Sequence, residues 1–148
     1  MNVFSAMEIA ASGLNAERTR MNVIASNLAN ARTTQTPDGT PYYRQEAVFR
    51  AVPANERLAD LRNDPNAQSA FMVEVPRIEQ ITPEENERNV IYDPSHPDAD
   101  GEGYVEMPNV NVIAEMVNMI TASRAYEAGV TVVKSVKGMA RSALSIGS

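Results

Sequence analysis

NVNVIAEMVNMITASRAYEAGVTVVKSVKGMARSALSIGS, residues 109–148, contains no proline and predicts one long amphipathic helix. Stepping alternately four and three from Val112 gives Met116, Met119, Ser123, Tyr126, Val130, Val133, Lys137, Ala140 and Leu144. Eight of these ten positions are apolar. A mean step of about 3.5 marks the narrow seam of a coiled coil, not the wider stripe of a helix lying on a globular core. At a rise of 1.5 Å per residue, such a helix runs roughly 50 Å. A helix with so narrow an apolar seam must find another helix.

The start of the chain provides one. Residues 1–36 contain no proline and a single glycine, Gly13. Four-and-three stepping from Val3 gives Met7, Ala10, Leu14, Glu17, Met21, Ile24 and Leu28, with seven of the eight positions apolar. Small residues flank this seam (Ala10, Ala11, Ser12, Gly13, Ala25, Ser26), so a partner helix could approach closely. Ser5 and Glu8 have capping-box spacing for a helix start. The polar run Thr33-Thr34-Gln35-Thr36 before Pro37 predicts that the helix ends near Asn30.

Between the seams the periodicity changes. All nine prolines lie between 37 and 108. Thr36-Pro37-Asp38-Gly39 is a turn signal. Residues 42–52 and Phe71–Ile81 read as strands, with Phe71, Val73 and Val75 on one face and Pro76 either confining the second to an edge or ending it. Residues 53–69 read as a loop or as a short helical turn around Arg57–Leu61, and a short strand is expected at 89–93. Residues 93–103 form a loop rich in proline, aspartate and glycine, and Asn109 or Asn111 is placed to cap the final helix. The expected class is α+β: residues 1–35 form an N-terminal helix, 36–108 a β-rich insertion with long loops, and 109–148 a C-terminal helix. The two helices pair as an antiparallel coiled coil and leave further faces for other subunits.

Composition removes several functions. Residues 37–108 carry six arginines and fifteen acids, a charge of −9 within a total of −6. An acidic middle opposes nucleic-acid binding, which rests on neutralising phosphates. No apolar run is long enough to span a membrane, and the first residues lack the basic and apolar regions of a cleavable signal. The chain has no cysteine and one histidine, His96, so thiolate metal sites and multi-histidine sites are absent. Placing Gly101 at the sixth position of an EF-hand loop puts His96 at position one and Met107 at position twelve, where calcium ligands are needed. An acid–base enzyme would rest on scattered carboxylates such as Glu84, Glu85 and Glu87, which read as a solvated loop. No catalytic, metal or cofactor site is expected.

Asn27-Leu28-Ala29-Asn30-Ala31 followed by Thr33-Thr34 resembles the N-terminal signature of the bacterial flagellar rod and hook axial proteins, and Ser123-Arg124-Ala125-Tyr126-Glu127-Ala128 their C-terminal signature. Thr36–Gly39 with Tyr42, Arg44 and Gln45, the 92–100 loop, and Gly103-Tyr104-Val105 running into Pro108–Asn111 are similar to the proximal-rod members. The resemblance covers nearly the whole chain. Gly129 departs from it, since relatives usually carry Asn there.

The resemblance implies a structural subunit of the flagellar basal body, exported by the flagellar type III apparatus without a cleaved signal peptide. It implies a rod that crosses the periplasm, transmits torque and surrounds the export channel, with the terminal helices innermost. Implied partners are other rod proteins, copies of the same chain, the base adaptor protein and the membrane-embedded ring. Neither nucleic acid nor direct membrane insertion is implied. The expected assembly residues are Val3, Met7, Leu14, Met21, Ile24, Asn27, Leu28, Asn30, Met116, Met119, Arg124, Tyr126, Val130, Val133 and Leu144. For Asn27 and Asn30, local capping and register-setting bonds between helices remain open alternatives. The same is true of Arg124 and Glu127, which suit either an interface contact or a solvated face. A related type III secretion needle or translocator also has helical ends. The β insertion and the proximal-rod motifs disfavour it.

Overall fold

A computed structural model describes residues 3–53, 74–83 and 89–146 of the chain. The order is α1 (Val3–Ala29), β1 (Gln45–Pro53), β2 (Glu74–Pro83), β3 (Asn89–Tyr92), β4 (Tyr104–Met107) and α2 (Val112–Ile146). β1 pairs antiparallel with β2, with a bulge between Val48 and Phe49. β3 pairs antiparallel with β4. Pro76 lies inside β2 opposite Ala51; a two-stranded ribbon has only edge strands, so proline is tolerated there. The helical turn at 57–61, residues 71–73, and Glu84, Glu85 and Glu87 lie outside the described residues.

α1 and α2 pack side by side. Leu14 lies against Gly129, and Asn27 bonds to Glu115. Later residues of one helix therefore meet earlier residues of the other, so the pair is antiparallel. α1 is also held on a second side. The Ser12 hydroxyl donates to the Pro76 carbonyl at 2.7 Å, and the Arg20 guanidinium lies 5.8 Å from the centre of the Phe49 ring. Sandwiched between α2 and the β1–β2 ribbon, α1 buries Ala16, Val23, Ile24 and Asn27. That stripe is wider than the narrow seam expected from the sequence.

The inner face of α2 also differs from the expected one. Glu115, Ala122 and Val136 are buried, and Met119, Tyr126, Gly129, Val133 and Ala140 are half-buried. These still step by three and four, but only Met119, Tyr126, Val133 and Ala140 belong to the expected seam. The other half turns back by one residue, leaving Val112, Met116, Lys137 and Leu144 exposed. The cause is that two inward positions are Glu115 and Gly129, neither of which reads as apolar.

Gly129 has a packing reason. A Cβ there would lie 2.9 Å from Leu14 Cδ2 and 3.3 Å from its Cγ. The glycine costs about 1 kcal/mol in helix propensity but lets α1 approach. Gly129→Leu is expected to lower stability by about 1–3 kcal/mol through overpacking, read as a lower urea midpoint. An unchanged midpoint would mean that Leu14 simply moves aside.

The ends and turns follow local chemistry. α1 is already helical at Val3, so Ser5 stands inside it and the capping-box reading fails. Asn111 caps α2: its Oδ1 accepts from the N–H groups of Ile113 and Ala114, both at 3.1 Å. Asn109 is used elsewhere. The Gly39 N–H bonds to the Thr36 carbonyl at 2.8 Å, closing the expected turn. Gly103 has φ +86°, and a Cβ there would meet Tyr92 and Pro94, so glycine is required where the 93–103 loop returns to β4.

Candidate functional site: a polar joint between the helices

The largest fully buried side chains are Glu115, Val105 and Asn27. Two of these three are polar, and they touch. Asn27, 0 % exposed, sits in the last turns of α1. Its Nδ2 donates to the Gln45 carbonyl at 2.9 Å and to Glu115 Oε2 at 3.1 Å. Its Oδ1 accepts from the Gln45 N–H and the Tyr42 hydroxyl, both at 2.9 Å. A primary amide has two donors and two acceptor sites, and here all four are used. Ser26 Oγ lies 3.3 Å from the Tyr42 hydroxyl.

Glu115, 1 % exposed, enters from the first turn of α2. Its Oε1 accepts from Arg44 Nε at 3.0 Å and from Arg44 Nη2 at 2.9 Å. Asn118 Nδ2 approaches the same oxygen at 3.4 Å. The Arg44 N–H donates to Asn109 Oδ1 at 2.9 Å. Three chain segments therefore meet in one network: the end of α1, the lead into β1, and the start of α2. A buried carboxylate without partners is costly; this one is held by a guanidinium and two amides. The joint forms only when all three segments are in place.

The structure answers the open reading of Asn27: it bonds between elements. Asn30 instead works locally, its Nδ2 donating to the Ser26 carbonyl at 2.9 Å and its Oδ1 accepting from Thr33. Leu14, Met21, Leu28, Met119, Tyr126, Val130 and Val133 are half-buried, and Ile24 is buried. The Tyr126 hydroxyl has no hydrogen bond among the described residues. Arg124 pairs with Glu127 at 3.1 Å on a solvated face, where such a pair contributes only tenths of a kcal/mol. Met7, Met116 and Leu144 are exposed. The side chain of Val3 lies outside the described set.

Glu115 was hidden in the sequence because a carboxylate interrupts an apolar pattern. One signal points to it. Antiparallel pairing brings the end of the first helix, which carries Asn27, to the start of the last, which carries Glu115.

Two acids of the 93–103 loop bond to the loop's own backbone, and Asp98 Oδ2 accepts from the Thr34 hydroxyl at 2.6 Å. Asp93 Oδ1 accepts from the Ser95 hydroxyl and N–H, and these bonds hold its carboxyl below the usual carboxylate range. Asp100 Oδ1 accepts from the N–H groups of Glu102 and Tyr104. No group of three or more metal-ligating side chains is present among the described residues. No described helix is long and apolar enough to cross a membrane.

Comparison with known proteins places this joint in context. Residues 7–34 match the family described as flagella basal body rod protein. Residues 102–146 match the flagellar basal body rod FlgEFG protein C-terminal family. The chain is 42 % identical to the flagellar basal-body rod protein FlgC of Borreliella burgdorferi, covering 99 % of this chain and 98 % of that protein. It is 36 % identical to FlgC of Bacillus subtilis over 99 % of each, and 40 % identical to FlgC of Escherichia coli O6:H1 over 99 % and 97 %. These relatives are structural proteins of the rod, not enzymes. With helix-end signatures at both termini and full-length similarity between them, the chain belongs to the FlgC family of flagellar basal-body rod proteins.

Proposed function

We propose that this rod protein is a subunit of the proximal drive shaft, transmitting torque through the periplasm and enclosing the export channel. One observation carries the reading. With its inner face already against α1, α2 still exposes Ile113 (76 %), Met116, Val117 and Ile120 (62 %). At 100° per residue Ile113, Val117 and Ile120 lie opposite Glu115 and Ala122, with Met116 on the flank. A helix that is apolar on two opposite faces belongs between two layers. In a shaft, the second layer is a helix of a neighbouring subunit, and the α1–α2 pair extends into a coiled coil of many chains.

Three parts divide the work: residues 1–35 and 109–148 form the inner helical layer, and 36–108 pack outside it. The assembly residues expected from the sequence act here together with the outward face of α2. Neighbours are copies of this chain, other rod proteins, the base adaptor and the membrane-embedded ring. Export through the flagellar type III apparatus suits a chain with no cysteine, since no disulfide closes a loop before passage.

Ile120→Asp separates assembly from folding. Its side chain is already exposed, so monomer stability should change by about 0.5 kcal/mol or less. Incorporation into basal bodies, and swimming with it, should be lost because a charge would be buried in an apolar contact. Normal basal bodies containing this variant would sink the proposal.

A further inference from the structure

The turn at 34–41 and one face of β3–β4 enclose an open cleft of about 680 Å³. Val90, Tyr104 and Glu106 line it from the ribbon, and Asp98 and Asp100 from the loop. Among the described residues, every charged lining side chain is an acid. Val90 and Tyr104 are substantially exposed, and Tyr104 is propped edge-on by Tyr92, with ring centres 5.2 Å apart. The cleft thus combines an apolar floor with an acidic rim.

The far end of α2 has the complementary character. Residues 128–148 carry Lys134, Lys137 and Arg141 and no acid. With Leu144 these are spaced three, four and three, so they share one helix face. All four are exposed, Leu144 at 75 %. Helix-dipole effects fall off within the last turn, so they do not account for Lys134, three turns from the end. α2 is continuous over 35 residues, roughly 50 Å, and its start lies beside the joint. Its basic end therefore cannot fold back into the cleft of its own chain.

We propose that the acidic cleft receives the basic end of α2 from a second copy of this chain, Leu144 and the aliphatic stems meeting Val90 and Tyr104 while the cations meet Asp98, Asp100 and Glu106. Cleft and helix end are different surfaces of one molecule, so the contact is head-to-tail and propagates rather than closing as a pair. This rests on the reading of the chain as a shaft subunit and names one of its self-contacts.

The absence of native cysteine allows a direct test. In cells producing the full chain with Glu102→Cys and Arg141→Cys, isolated basal bodies are treated with a short bismaleimide. The two positions are too far apart to link within one chain, so the expected product is a ladder of dimers and higher multimers. Monomer alone, with the variant present in basal bodies, overturns the proposal. Separately, Lys137→Glu with Arg141→Glu should lower recovery in basal bodies by about tenfold, and adding Asp98→Lys with Glu106→Lys should restore it to within about threefold by recreating charge complementarity. Undiminished recovery, or a loss without restoration in a chain that retains its unfolding midpoint, also overturns it. If the charge variants fail to fold, the ladder decides. Absence of the unmodified chain from basal bodies would instead sink the shaft reading.

Discussion

Asn27→Asp is expected to destabilise the chain by on the order of 5 kcal/mol, enough to unfold a domain of ordinary stability. The two side chains have nearly the same shape, so the effect is chemical. The carboxylate replaces a donor that serves the Gln45 carbonyl and Glu115 Oε2. Both acceptors lose their partner, and two carboxylates face each other at about 3 Å, where both cannot remain ionised without a large penalty. Proton uptake relieves part of it. The new acid would have a folded-state pKa above its unfolded value, so the folded form binds more protons. Stability of the variant should therefore fall as pH rises above about 4. Urea unfolding followed by circular dichroism at several pH values reads both effects. A midpoint equal to that of the unmodified chain at neutral pH would mean that the joint does not form in solution.

Glu115→Ala should cost about 3 kcal/mol, near the lower end for a broken buried ion pair. Arg44 is partly exposed, with 22 % of its side chain accessible, so water takes over some of its bonding. Asn27 loses one acceptor as well. Replacing Glu115 and Arg44 together with apolar residues of similar size should cost less than Glu115→Ala alone, because no charge remains unpaired. If the double variant were the less stable, the pair would contribute more than it loses by desolvation.

Much of this fold could be read from residue periodicity. The proline-free ends forecast two long helices, and the polar run after Asn30 forecast where the first would stop. Pro37, Asp38 and Gly39 forecast the turn, and Asn111 the cap of the last helix. Half of the inner seam of α2 followed the same pattern. The other half did not, because apolar counting treats Glu115 and Gly129 as failures. One is inward because Arg44, 71 residues earlier in the chain, returns to meet it; the other is inward because Leu14 needs the space. Both reasons lie in distant segments. The width of the buried stripe on α1 was hidden for the same reason: the ribbon that covers its second side comes from residues 45–53 and 74–83.

The placement of the joint has a mechanical consequence. Apolar contacts have no preferred direction and permit one helix to slip along another. Hydrogen bonds are directional and weaken steeply when bent. The Asn27–Glu115–Arg44 set therefore acts as a rivet at one end of the helix pair, while Leu14 seated on Gly129 farther along holds the helices together by shape alone. In the proposed shaft, load on the helix pair is expected to leave this end in register and to pass into the strand that begins at Gln45.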